Sequence, residues 1–182
     1  MIPPSFRQWG PPQISELQEL GYPVVSLDTL RQSGSRYSSA IPILLKWLRT
    51  IPDLTLKESI VRTLSVPWAK PAAAKPLILE FRESPNSANS GLKWAIGNAL
   101  EIVADDSVVD DLIELVHDRR HGKSREMLVC ALGNMDDQRA VDVLIGLLDD
   151  EEVAGHAIMA LGKLKAPKAR ARIEVFLHHP KA

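Results

Sequence analysis

Ala131-Leu132-Gly133-Asn134 is the stretch on which the fold turns, because the chain repeats it. Ala95-Ile96-Gly97-Asn98 precedes it, Ala160-Leu161-Gly162-Lys163 follows it, and Thr63-Leu64-Ser65-Val66 is a weaker copy. The third residue of the phrase stands at 65, 97, 133 and 162, at intervals of 32, 36 and 29 residues. A period in this range on helical sequence marks a stacked-repeat protein, whose units bury their apolar faces only against their neighbours. Such a fold offers surfaces more readily than pockets, so the phrase speaks to fold far more than to function.

Working outward from the phrase, helical periodicity supplies the units. Ile41, Leu44, Leu45 and Leu48 share one face of a helix predicted over 40–50. Leu56, Ile60, Val61 and Leu64 share one over 55–65. The same reading pairs 72–83 with 88–103, 107–120 with 123–135, and 138–148 with 151–164. A last helix over 167–177, opened by Pro167, has no second member. We call the first helix of each pair A and the second, which carries the phrase, B. Four prolines within residues 1–12 predict an extended arm. Short helices follow, one over 14–20 ended by Gly21 and Pro23, and one capped by Ser26. The expected organisation is an arm with capping helices over 1–39 and an all-α solenoid over 40–182. The solenoid holds about four helix pairs plus a half repeat.

A chain of 182 residues with a formal net charge of -1 is one ordinary domain and no generic polyanion binder. The single cysteine, Cys130, rules out an internal disulfide framework and fits a reducing compartment. The N-terminus shows no apolar signal segment, and no apolar run approaches the roughly 20 residues that span a bilayer. The default expectation is a soluble cytoplasmic protein with no membrane partner. Phosphate-loop, dinucleotide and nucleophile-elbow motifs are absent, so neither an enzyme nor a cofactor is expected.

The segment Gln138-Arg139-Ala140-Val141-Asp142-Val143-Leu144-Ile145-Gly146-Leu147-Leu148-Asp149-Asp150-Glu151-Glu152-Val153, running into Ala157-Ile158-Met159-Ala160-Leu161-Gly162, resembles the short HEAT-like repeat, a type also seen in phycobilin lyases. The likeness is strong over 107–177, fair over 40–103 and absent before 40. It implies a right-handed α-solenoid that binds another macromolecule, most often a protein. It also raises two alternatives, a phycobilin-lyase-like accessory protein and a nucleic-acid-binding or DNA-glycosylase-like protein. The glycosylase branch pairs a tryptophan with a nearby aspartate; here Trp94 is followed four residues later by Asn98, which argues against that activity. Glu58 or Glu126 would have to supply the carboxylate. The family's arginine is present as Arg125 but is Lys57, Asn89 and Ala154 in the other repeats, which interrupts any Asp–Arg ladder.

Aligning B helices on the phrase sorts their faces. Positions one, two, four and five before its third residue are mostly apolar or small and should be core. Positions three, six and seven before it, and one after it, should face outward. The outward set gives a stripe of Trp94, Met127, Cys130 and Met159, flanked by Arg62, Asn98, Glu126, Asn134 and His156. B helices commonly line the concave face of a solenoid, so this stripe is the candidate surface for a protein partner. Aromatic and methionine anchors beside an arginine suit such an interface. The competing reading is a widened core stripe. The glycines of the phrase each cost roughly 1 kcal/mol in a helix interior, which a tight helix crossing would explain. Arg119, Arg120 and Lys123 form a candidate anion site; the plainer reading is cations at a helix C-terminus with Gly122 as cap. His117 and His121 have a metal-like spacing without a third ligand, so no metal is expected. An acidic middle (Glu101 to Asp118) and a basic end (Lys163 to Lys181) could steer an acidic partner or simply be solvated faces.

Overall fold

The computed structural model describes residues 11–86 and 91–177. Expectations that fall on the arm before Pro11, on Asn89 and Ser90, and on the closing His178-His179-Pro180 lie outside the described residues. The described chain forms eleven α-helices and no strand: α1 Pro11–Glu19, α2 Leu27–Gln32, α3 Ile41–Thr50, α4 Leu54–Leu64, α5 Ala74–Glu83, α6 Gly91–Val103, α7 Val109–His117, α8 Glu126–Leu132, α9 Gln138–Gly146, α10 Ala154–Lys163 and α11 Arg170–Leu177. Several start where side chains satisfy orphan amides. Asp53 accepts from the Thr55 and Leu56 amides, Asp137 from Arg139, and Ser26 forms a capping box with Thr29. Caps of this kind are worth about 1 kcal/mol each.

The helices make an α-solenoid of two layers. Each A helix packs on its own B helix, α3 on α4, α5 on α6, α7 on α8 and α9 on α10. Along the B layer, α4 packs on α6, α6 on α8 and α8 on α10. The two N-terminal helices extend this order. Helix α2 packs on α4, and Glu16 of α1 reaches Lys46 of α3 at 3.0 Å. The weak copy of the phrase is explained here. Thr63 stands where the other copies carry alanine because its hydroxyl accepts from Arg31 of α2 at 2.9 Å. Its carbonyl accepts from the Tyr37 hydroxyl at 3.0 Å.

One continuous apolar core runs the length of the array. The phrase register sorts it correctly: every position assigned to the core on α4, α6, α8 and α10 is buried, except Ile158, which is half-buried. Two of the three glycines are at tight crossings. A Cβ at Gly97 would stand 2.9 Å from Met127 Cβ of α8, and one at Gly133 would stand 2.9 Å from Ala160 Cα of α10. Gly162, on the last B helix, faces open space.

The third repeat departs from expectation. Helix α7 stops at His117, and Asp118 turns the chain by accepting from the Arg120 amide at 3.1 Å. A 3-10 stretch, Arg119–Arg125, follows, broken at Gly122, whose φ of 52° favours glycine. Arg119 and Arg120 therefore stand beyond the helix.

Part of the uneven charge of the sequence is spent between repeats. Lys75 meets Asp111 at 2.5 Å, Arg82 meets Glu114 at 2.7 Å, Arg139 meets Asp110 at 2.7 Å and Arg172 meets Asp149 at 2.7 Å. Lys168 pairs with Asp142. Asp110, Asp111 and Glu114 of the acidic middle are thus matched by cations of the repeats on either side. Two further rungs are more buried. Arg125, fully buried, bonds Asp150 at 2.8 Å and Glu152 at 2.6 Å. Lys57 bonds Glu80 at 2.6 Å. These occupy the first and third of the family's arginine positions.

Candidate partner-binding groove

Position three before the phrase's third residue puts Arg62 on α4 and Trp94 on α6, side by side on the outer face of the B layer. Trp94 is 49% exposed, a large apolar area to leave in water. It borders a groove of ≈ 540 Å³ lined also by Arg31, Arg62, Asn98, Glu101 and Ile102. The polar groups are held in place. Arg62 donates to Glu58 through Nε at 2.9 Å and Nη2 at 2.7 Å, and Arg31 pairs with Asp28. Asn98 Nδ2 donates to the Trp94 carbonyl at 2.8 Å, and Asn134 Nδ2 to the Glu101 carbonyl at 2.7 Å. Each amide is thereby fixed in orientation.

The structure gathers Arg62, Trp94 and Asn98 in one groove and spreads the rest of the stripe along the layer. Met127 is half-buried against Gly97, His156 stands 4.0 Å from Glu126, and Met159 is 66% exposed on α10. Cys130 corrects the expectation: it is only 8% exposed, because the close crossings at Gly97 and Gly133 bring α6 and α10 over the middle helix. Burial, with Glu101 and Glu126 nearby, pushes its thiol pKa up, so it stays protonated and unreactive.

Arg31, Glu101 and Ile102 were not in the sequence-derived set. Arg31 belongs to the capping helix, outside the repeat register. Glu101 and Ile102 lie beyond the phrase, and only α6 runs on far enough to present them.

The other candidates resolve into local structure. Arg119 stands 3.5 Å from Asp150 and Arg120 2.7 Å from Asp118, while Lys123 is exposed; two of the three already have carboxylate partners. His117 Nδ1 donates to the Ile113 carbonyl at 2.7 Å. His121 instead faces inward, its Nδ1 3.0 Å from Lys93 Nζ and its ring edge-on to Phe81 at 5.0 Å. Lys93 is the one charged residue at a B-helix core position. It is 1% exposed, donates to Asn86 and lies 4.7 Å over the Phe81 ring. His121 Nδ1 also lies 3.0 Å from Asn86 Oδ1, and its Nε2 lies 3.6 Å from Asp118. Desolvation lowers the pKa of both groups, and Lys93 lowers that of His121 further. No cluster of three metal-ligating side chains occurs among the described residues.

Two helical layers, an inward-packed glycine in the B helices and a buried arginine reaching the next repeat's acidic turn carry the family features. A family model described as HEAT repeats matches residues 109–182. Residues 109–182 carry HEAT repeats. The matched span runs from α7 through α11, and the same two-layer packing continues back to α3. No curated protein and no solved structure matches the chain significantly. HEAT repeats commonly mediate protein–protein interaction, and among the described residues no helix is long and apolar enough to cross a membrane.

Proposed function

We propose that this HEAT-repeat chain is a non-enzymatic scaffold or adaptor that holds a protein partner on the outer face of its B layer. The observation that carries the reading is Trp94. It is a half-exposed indole on a rigid helix, in a groove that also offers an apolar residue, two fixed guanidinium groups and an oriented amide. Buried-on-binding aromatic residues beside arginine are the usual energetic centre of a protein interface. The charges of the groove favour a protein over a polyanion. Arg31 and Arg62 are already paired with Asp28 and Glu58, and Glu101 adds a negative charge. The DNA-directed alternative needs a basic face and gains nothing from this arrangement.

Affinity capture from the native host with matched variants tests the proposal. Trp94→Glu is expected to lose the partner while melting as the wild type does. Leu79→Glu, on the A layer and 47% exposed, is expected to keep it. Retention by Trp94→Glu together with loss by Leu79→Glu would move the interface to the other face.

A further inference from the structure

Lys93 and His121 are ionisable side chains that pack against each other where the second and third repeats meet. Lys93, on α6, is 1% exposed, and the His121 side chain, from the turn between α7 and α8, is 9% exposed. Lys93 Nζ lies 3.0 Å from His121 Nδ1. It also donates to Asn86, in the turn after α5, and stands 4.7 Å over the Phe81 ring of α5. His121 meets the same ring edge-on at 5.0 Å and the same Asn86 oxygen at 3.0 Å.

Neutral His121 can accept from Lys93 at Nδ1. The imidazolium cannot, because both of its ring nitrogens carry hydrogens. Proton uptake therefore sets two cations 3.0 Å apart in an interior with little water to screen them. The charges that face His121 do not balance this. Lys93 comes from α6, Arg125 from the start of α8, and Asp118 and Arg120 from its own turn. Helix α5 contributes the Phe81 ring, and residues 87–90 carry no ionisable side chain. Asp118, 3.6 Å from Nε2, is thus the one anion among the described residues facing His121, and Arg120 already bonds it through Nε at 2.9 Å and Nη2 at 2.7 Å. Burial first, then Lys93, accordingly holds the His121 pKa below its ordinary value.

The two sides of the contact are not equally held. Helix α6 packs against α4, α5 and α8, whereas His121 sits on the short stretch Arg119–Arg125, broken at Gly122. Past that break Arg125 is fixed by the Val116 and Gly122 carbonyls, Asp150 and Glu152. The piece that can turn outward is 119–121, and Arg119 gives up only a 3.5 Å contact with Asp150.

We propose that His121 is a proton-operated latch between the second and third repeats: protonated at mildly acidic pH, it leaves Lys93 and Phe81 and turns outward with Arg119 and Arg120, pivoting at Gly122. The third repeat stays tied to the fourth through Arg125, so the opening is local. Opening takes up one proton, since the released imidazole titrates at its ordinary 6.5 and the enclosed one below it. The open form is therefore favoured by up to about tenfold between pH 7.5 and 5.5, and up to about thirtyfold by pH 5.0. The latch does not rest on the Trp94 reading.

Hydrogen exchange of the Arg120 and His121 amides, both of which donate to Asp118, tests the latch in the 182-residue chain. NMR reads each rate, normalised to the intrinsic rate at its pH. Protection should fall about five- to tenfold from pH 7.5 to 5.5. It should be unchanged by 1 M urea, as local opening requires, whereas urea should accelerate exchange in α4 and α10, which open by global unfolding. In His121→Gln the acid effect should shrink below twofold, and Lys93→Met should at least halve it; circular dichroism checks that both variants are folded. An acid effect under twofold in the wild type, one that survives His121→Gln, or one left whole by Lys93→Met overturns the proposal. So does urea-sensitive exchange of the two amides, which would make the acid loosening global.

Discussion

Alanine at each glycine of the phrase should give effects of opposite sign, and the structure sets their sizes. At Gly133 the new Cβ would stand 2.9 Å from both Cα and Cβ of Ala160. That neighbour is helix backbone and cannot rotate away, so α10 must shift bodily by several tenths of an ångström. Overpacking of this kind costs about 1–3 kcal/mol. The better helix propensity of alanine offsets at most about 1 kcal/mol. The net expectation for Gly133→Ala is a loss of about 1–2 kcal/mol. Gly97→Ala meets Met127 Cβ at 2.9 Å and should also destabilise. At Gly162 nothing is within reach, so only the propensity term remains, and Gly162→Ala should gain up to about 0.5 kcal/mol so near the helix end. For a chain of this size 1 kcal/mol moves Tm by about 2–4 °C. Thermal and urea unfolding of the three variants measure this. The double variant Gly133→Ala/Ala160→Gly should recover part of the loss, because its second change removes half of the clash. Equal stability of Gly133→Ala and Gly162→Ala, or no recovery in the double variant, would refute the packing argument.

Other outcomes follow from single sites. Arg125→Ala leaves Asp150, itself only 8% exposed, without its guanidinium, and should cost about 3 kcal/mol in urea unfolding; a loss below about 1 kcal/mol would show that the rung contributes little. The Arg125 hydrogen bond holds the Asp150 carboxyl below the usual carboxylate range, so that part of the stability is present above pH 3.8 and is lost as pH falls through the folded-state value. His121 runs the same way for a different reason. Its folded-state pKa lies below 6.5, so the unfolded chain takes up the proton first, and stability should decline as pH falls below 6.5. In His121→Gln the Tm profile between pH 7.5 and 5 should be flatter, and an unchanged slope would assign the effect elsewhere. Cys130 should react with a thiol reagent orders of magnitude more slowly in the native chain than in urea; comparable rates would contradict its burial.

The fold was legible because solenoid packing is written in register. A B helix needs its small and apolar residues at fixed offsets from the next helix, so Ala95, Ala131 and Ala160 could be read as core from the phrase alone. Lys93 stood in a core slot too, but its partners, Asn86, Phe81 and His121, come from other segments with no fixed spacing to it. Cys130 was misplaced because an outward direction on a middle helix does not guarantee exposure when glycines draw both neighbours in. Trp94, Arg62 and Asn98 were found together since they share the register. Arg31 was missed because it reaches the groove from the cap, and Glu101 and Ile102 because α6 outlasts the other B helices. The cations of the third repeat misled for a local reason: Asp118 ended α7 earlier than the apolar pattern suggested.

The central claim is that the B layer's outer face, around Trp94, holds the protein partner. Site-specific photo-cross-linking in the native host tests it most directly, with a benzophenone side chain placed in turn at positions 62, 94, 98, 102 and 79. The account predicts one protein captured from 94 and 98, with yields falling at 62 and 102 and no capture from 79. Capture from 79 with none from 94 or 98 would contradict it.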